Sequence, residues 1–139
     1  MSKLNVTIPN LKLNDGAAIP MLGYGTGTAW YKTGEESKID QNIIDAVKMA
    51  IKLGYTHLDG AESTLAPVYI VMPHNESRTV LTIESVYKTE QELGTGIKES
   101  GVEREKLFVT TKVDNANIHD IENALQISLK KLQLDYVDL

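Results

Sequence analysis

The sequence predicts an α/β chain built on a parallel sheet with crossover helices. Two observations carry that reading. Short apolar, strand-like runs alternate with helix-like stretches through the 139 residues, four strands in all. The ends of those runs, Gly25, Asp59, Lys112 and Leu139, are 34, 53 and 27 residues apart, so one interval is too long. Removing 23 residues from it leaves 30, in line with the other two.

Val6–Ile8 and Leu11–Leu13 are short β-like pieces around Pro9-Asn10, and Asn14-Asp15-Gly16 is a strong turn signal. Together they read as an N-terminal hairpin. Met21–Gly25 is a first apolar strand, followed by a Gly/Thr loop. A helix follows from about Asp40 to Leu53, with Ile43, Val47, Ala50 and Ile51 on one face and Gly54 as its stop. Tyr55–Asp59 is the second strand. A second helix runs from about Thr89 to Ser100, with Leu93 and Ile97 one turn apart and Gly101 closing it. Leu107–Lys112 is the third strand. The third helix starts at Asn117 as N-cap, with Asp120 in its first turn and an inner stripe of Ile121, Leu125, Leu129 and Leu132. Tyr136–Leu139 is the fourth strand.

The excess falls on Ser63–Ser85. There Val68–Met72 and Thr79–Ile83 flank a polar Pro73–Arg78, the pattern of a β-hairpin. The segment contains none of the chain's twelve lysines. Three origins compete for it. One is an intron retained in frame, since 23 codons make 69 nucleotides and Glu62-Ser63 nearly repeats as Glu84-Ser85. Another is a natural lid, because long loop insertions cost little closure entropy. The third is an engineered change.

Composition bounds the function. A net charge of −5 offers no basic face for nucleic acid. The absence of cysteine removes disulfides, zinc–thiolate sites and cysteine nucleophiles. MSKLNVTIPN lacks the apolar core of a signal peptide, and no run approaches the ~20 residues that span a bilayer. A cytoplasmic location with no membrane or nucleic-acid partner is the expectation; the oligomeric state is left open. The histidines at 57, 74 and 119 are too scattered for a metal site.

Without Ser63–Ser85 the chain reads HLDGAEVYKTEQELG, with Tyr87 five residues after Asp59 at the mouth of a strand–helix turn. Phe108-Val109-Thr110-Thr111-Lys112 adds a strand-end lysine. Asp, Tyr and Lys in that order are the parts of a proton-donating site. Each residue also has a plain structural use: a capping Asp59, a packing Tyr87, a solvated Lys112. Tyr69 competes as donor, but it lies ten residues after Asp59 and lacks the ExELG helix behind it. Gly23-Tyr24-Gly25-Thr26-Gly27-Thr28 fails the dinucleotide pattern G-x-G-x-x-G, because position 28 is Thr and no helix follows at once. Trp30 is placed either to line a substrate mouth or to pack.

LNDGAAIPMLGYGTGT (13–28), LGYTHLDGAE (53–62), VYKTEQELGTGIKES (86–100), LFVTTK (107–112) and LQLDYVDL (132–139) together resemble the aldo-keto reductase family. The GTGT-x-W loop with Thr-Thr-Lys is most like its fungal ketone and dicarbonyl reductases. The resemblance implies a partial (β/α)8 TIM barrel, about the first four strand–helix units plus the N-terminal hairpin, spanning 1–139 with 63–85 inserted. It implies NADPH as cofactor, a small-molecule carbonyl substrate, and hydride transfer. Asp59, Tyr87 and Lys112 match the first three members of the family's catalytic tetrad. The fourth, a histidine, normally lies a few residues past DYVDL. Gly25, Thr26, Gly27, Thr28 and Asp59 are implied to line the cofactor. Gly60 replaces the threonine often found after the family's aspartate.

The chemistry of such a trio is general. A carbonyl taking a hydride develops alkoxide charge and needs a proton. Tyrosine ordinarily ionises near ~10, and an adjacent ammonium favours the phenolate. An aspartate partner stabilises that ammonium. The family's clamp for the adenosine phosphate belongs to the second half of its barrel, so these 139 residues alone are expected to bind NADPH poorly and turn over little. Two readings of other classes stand beside this one: a noncatalytic regulatory or interaction protein on the same fold, and an independent small doubly wound α/β binding domain.

Overall fold

A computed structural model describes residues 7–27, 38–61, 64–69, 80–85, 88–113 and 115–139. Val6, Thr28, Trp30, Tyr87 and the Pro73–Arg78 hairpin tip lie outside the described residues.

The first elements are a two-stranded antiparallel ladder, β1 (Asn10–Lys12) and β2 (Ala18–Pro20), with Leu11 opposite Ile19. The hairpin turns at Asn14-Asp15-Gly16. Gly16 takes φ +93°, and Asp15 Oδ1 accepts from Ala17 N at 2.9 Å. The arms are therefore 10–12 and 18–20: Leu11 and Lys12, expected as β-like, fall in the first arm, whereas Thr7 and Ile8 are in no strand and the second arm follows the turn. The Asn-Asp-Gly turn sets the register, and β-propensity alone located the arms too early.

Three parallel strands follow: β3 (Gly23–Gly25), β4 (His57–Asp59) and, later in the chain, a strand at Phe108–Thr110. Between β3 and β4 lies α1 (Gln41–Lys52), with Asp40 accepting from Asn42 N at its start. After Leu53, Gly54 takes φ +101°, which reverses the chain into β4. The long connection after β4 contains β5 (Thr64–Tyr69) and β6 (Val80–Ser85), paired antiparallel from Thr64 opposite Ser85 to Tyr69 opposite Val80. β5 starts four residues before Val68 and includes Pro67, which a two-stranded ribbon tolerates on its open edge.

α2 (Glu90–Ser100) ends at Gly101 in the left-handed region, and β7 (Phe108–Thr110) follows a short 3-10 turn. α3 (Ile121–Leu132) comes after a second 3-10 turn, Asn115–Asp120. Its N-cap is Asp120, which accepts from Asn123 N at 3.3 Å, and not Asn117, which the 3-10 turn has absorbed. Its buried positions are Ala124, Ser128 and Leu132. Ile121, expected on the inner stripe, is exposed, because the buried line of α3 runs through 124, 128 and 132.

The strand order β3–β4–β7 follows the chain, and Gly25, Asp59 and Thr110 share one row. The last residues lie beside β7. Asp138 N donates to Val109 O at 2.8 Å, and Thr111 N donates to Leu139 O at 2.9 Å. This segment is not a regular strand, since the Asp138 carboxylate itself accepts from Val109 N at 2.8 Å. Arg104 fastens the same carboxylate at 2.6 Å and stacks 4.0 Å over the Tyr136 ring.

Each strand thus adds at the same edge, and the helices cover one face. Ile43, Val47 and Ile51 of α1, Leu93 and Ile97 of α2, and Leu132 of α3 form one buried cluster with Leu58, Leu107 and Val109. A doubly wound sheet reverses strand order and places helices on both faces, so the winding here is that of a barrel wall. Two glycines set the helix spacing. A Cβ on Gly96 would meet Val47 Cγ1 at 2.7 Å, and one on Gly94 would meet Leu132 O at 2.0 Å. No helix among the described residues is long and apolar enough to cross a membrane.

Candidate active site

Side chains alternate along a strand. With Leu58 and Val109 turned to the helices, His57, Asp59, Phe108 and Thr110 share the opposite face. The row nearer the strand starts is Gly23–His57–Phe108. A Cβ on Gly23 would sit 2.9 Å from His57 Nδ1, so the imidazole occupies the space a side chain there would need. His57 meets Phe108 edge-on at 5.2 Å and reaches Thr110 Oγ1 through Nε2 at 3.1 Å. It is a packed wall residue.

The row at the strand ends, Gly25–Asp59–Thr110, carries the candidate chemistry. Lys112, two residues beyond β7, reaches back so that Nζ bonds Asp59 Oδ1 and also donates to Gly60 O at 3.1 Å. The sequence placed Lys112 at the end of the third strand; the strand proper stops at Thr110, and the loop position is what lets the side chain turn across to β4. The pair is half open, with side-chain exposure of 40% for Lys112 and 32% for Asp59. A ligand can therefore reach it from the strand-end side.

Gly25, Thr26 and Gly27 form the neighbouring rim. Gly25 is exposed, and a Cβ there would lie 3.7 Å from Asp59 Oδ2, in ordinary contact with that carboxylate oxygen. Thr26 is fully buried. Its N–H donates to Asp59 O at 3.0 Å, its hydroxyl is 3.3 Å from the same oxygen, and Thr89 Oγ1 is 2.8 Å away. The Thr26 hydroxyl thus fixes the loop. Gly60 is tight: a Cβ would fall 2.7 Å from Cδ2 of fully buried Leu93. That contact gives a local reason for glycine after Asp59 in this chain.

Three polar residues at the start of α2 were not singled out from the sequence. Thr89 is the N-cap of α2, but its hydroxyl bonds Thr26 and makes no cap bond. Glu90, 1% exposed, accepts from Thr111 Oγ1 at 2.6 Å. Fully buried Glu92 accepts from Asp40 N at 3.0 Å, tying α2 to the start of α1. Acidic residues in a first helical turn usually face water and favour the helix dipole. The available signal was their place between Tyr87 and the Leu93–Ile97 stripe, where the helix turns inward.

Of the expected site residues, the structure brings together Gly25, Thr26, Gly27, Asp59 and Lys112; Tyr87 and Thr28 are outside the described residues. Tyr69 lies at the end of β5, opposite Val80.

A parallel sheet wound in one direction, with helices on one face, is part of the wall of an α/β barrel. The sequence pattern of the aldo/keto reductase family matches residues 22–139, and the chain belongs to that family. It is 40% identical over 129 residues to aldehyde reductase YPR1 of Saccharomyces cerevisiae, covering 93% of this chain and 31% of the relative. It is 39% identical over 124 residues to an NAD/NADP-dependent indole-3-acetaldehyde reductase of Schizosaccharomyces pombe, covering 89% and 35%. Among solved structures, the Bombyx mori aldo-keto reductase AKR2E4 in complex with NADP superimposes with TM-score 0.68 at 38% identity, over 95% of this chain and 36% of that one. The chain spans about a third of the length of the curated relatives it matches.

Proposed function

We propose that these residues supply the reacting corner of an NADPH-dependent oxidoreductase that reduces aldehydes or ketones to alcohols. The observation that carries the reading is the Lys112–Asp59 ion pair, held by adjacent parallel strands at their C-terminal ends. That end of a barrel is where its active sites form.

In this reading Tyr87 gives its hydroxyl proton to the carbonyl oxygen. The Lys112 ammonium stabilises the phenolate left behind, and Asp59 holds the ammonium in place. NADPH, when bound, supplies the hydride. Its nicotinamide end is assigned to Gly25, Thr26, Gly27, Thr28 and Asp59; exposed Gly25, without a side chain beside the Asp59 carboxylate, supports that assignment. By themselves the 139 residues turn over slowly, because an open sheet walls a pocket on one side. Within the same proposal, Ser63–Ser85 is an insertion in the β4–α2 connection.

The test follows NADPH consumption with a small aldehyde in a polypeptide that carries residues 1–139 within a closed barrel. Lys112→Met and Tyr87→Phe are each expected to lose ~10²–10⁴ in rate, with Tyr69→Phe near the parent. Parental turnover in Lys112→Met overturns the reading.

A further inference from the structure

The Lys112–Asp59 pair is one link in a closed ring. From Asp59 the path runs through its own carbonyl oxygen to the Thr26 hydroxyl at 3.3 Å, and from Thr26 to the Thr89 hydroxyl at 2.8 Å. Thr89 is joined by the chain to Glu90, whose Oε1 accepts from the Thr111 hydroxyl at 2.6 Å. Thr111 is joined by the chain to Lys112, which returns to Asp59. One set of proton positions satisfies the hydroxyl links: Thr89 donates to Thr26, Thr26 donates to Asp59 O, and Thr111 donates to Glu90.

The ring joins four elements at the strand ends: the loop after β3, the end of β4, the start of α2 and the loop after β7. Thr26 and Thr89 are fully buried, and Glu90 is 1% exposed, so their bonds are sheltered from water. Lys112 itself is 40% exposed. A flexible lysine in that setting needs its backbone fixed if its ammonium is to stay on one carboxylate oxygen. The Thr111–Glu90 bond is positioned to do that, one residue upstream.

We infer that Thr111, Glu90 and Thr89 are positioning residues that hold the Lys112 ammonium on Asp59 and register it against the start of α2. The inference deepens the carbonyl-reductase reading and rests on it, since it assigns the ring to the reacting lysine. Glu90 acts through Thr111 and touches no reacting atom, so it is not a catalytic residue.

The experiment is acetylation of the protein's lysines with an acylating reagent across a pH series, mapped by mass spectrometry. Thr111→Val and Glu90→Leu break the ring; Thr111→Ser and Glu90→Gln keep a hydroxyl and an acceptor oxygen. The expected result is that Lys112 labels about three-fold faster or more in the breaking variants. Lys52 and Lys98 are expected to stay at parental rates, and the conservative variants to restore Lys112. In a closed-barrel polypeptide the breaking variants are expected to lose roughly ten-fold in kcat with KM little changed. Thr89→Val repeats the test from the other side of the ring. Unchanged Lys112 labelling overturns the inference. So does a rise shared equally by Lys52 and Lys98 in Thr111→Val and Thr89→Val alike, which is general loosening. Labelling does not depend on turnover. An active Lys112→Met would therefore sink the catalytic reading while labelling still decided the ring.

Discussion

On one face of the β3–β4–β7 sheet, Leu58 and Val109 are fully buried beneath α1 and α2. On the other, His57, Asp59 and Thr110 make polar contacts, and Lys112 crosses between two strand ends. The two faces are built from alternate residues of the same three-residue strands. The first is dry, apolar and closely packed, down to glycines at both helix contacts. The second trades apolar burial for fixed polar geometry. Under the proposed function, stability and chemistry are separable in this chain at single-residue spacing, and substitutions one position apart are expected to fail in different ways.

The largest expected effect is on the helix face. Leu58→Ala removes a fully buried side chain from the centre of the cluster, and a loss of about 2–5 kcal/mol is expected in urea unfolding. A midpoint shift equal to that of an exposed-site control such as Leu53→Ala would break the comparison. Next is Gly94→Ala, whose new methyl would press on the Leu132 carbonyl. Backbone cannot swing aside as a side chain can, so a cost of about 3 kcal/mol, the upper end for overpacking, is expected by the same unfolding measurement.

Thr89→Val sharpens the comparison from the other face. It removes one buried hydroxyl bond, and about 0.5–1.5 kcal/mol is expected in the same unfolding measurement. Deleting Ser63–Ser85 is expected to cost less than about 1 kcal/mol in thermal unfolding. The pairing of Thr64 with Ser85 already brings the two ends of that segment to about 5 Å. Sequencing the transcript across codons 60–90 gives the complementary check, since a spliced message joining Glu62 to Val86 identifies a retained intron.

The smallest effect is at Lys48. Its hydrogen bond with Glu99 holds the ammonium above its ordinary value of 10.5; desolvation opposes the rise, and the charges of Glu99 and Asp45 add smaller upward contributions. A raised folded value means that any stability from this pair is present below the unfolded value and fades as pH rises through the folded one. The window therefore opens only above about pH 10.5. Melting curves of Lys48→Met and the parent are expected to overlay near neutral pH, since the pair is exposed and screened by salt.

The helix face was the more legible in the sequence. The 43–47–50–51 stripe of α1 and the Leu93–Ile97 pair of α2 read directly as buried, because apolar periodicity reports burial. The stripe of α3 was misplaced toward Ile121, since Leu125, Leu129 and Ile121 look apolar whether or not a neighbour covers them. Ser128 and Ala124, which are buried, carry little hydropathy signal. On the site face, Asp59 and Lys112 were visible as strand-end charges and are brought together. Glu90 and Thr111 were not, because a side chain's use as a buried acceptor depends on which way its helix turns, and that is settled by packing among elements far apart in the chain.

The central claim is that one face of the sheet keeps the fold and the other performs the reduction. The most direct measurement is NADPH-dependent aldehyde reduction by Asp59→Asn in a closed-barrel polypeptide, at a temperature where its melting curve overlays that of the parent. The expected result is an intact fold with turnover reduced by ~10²-fold or more. Parental turnover in that folded variant would contradict the claim.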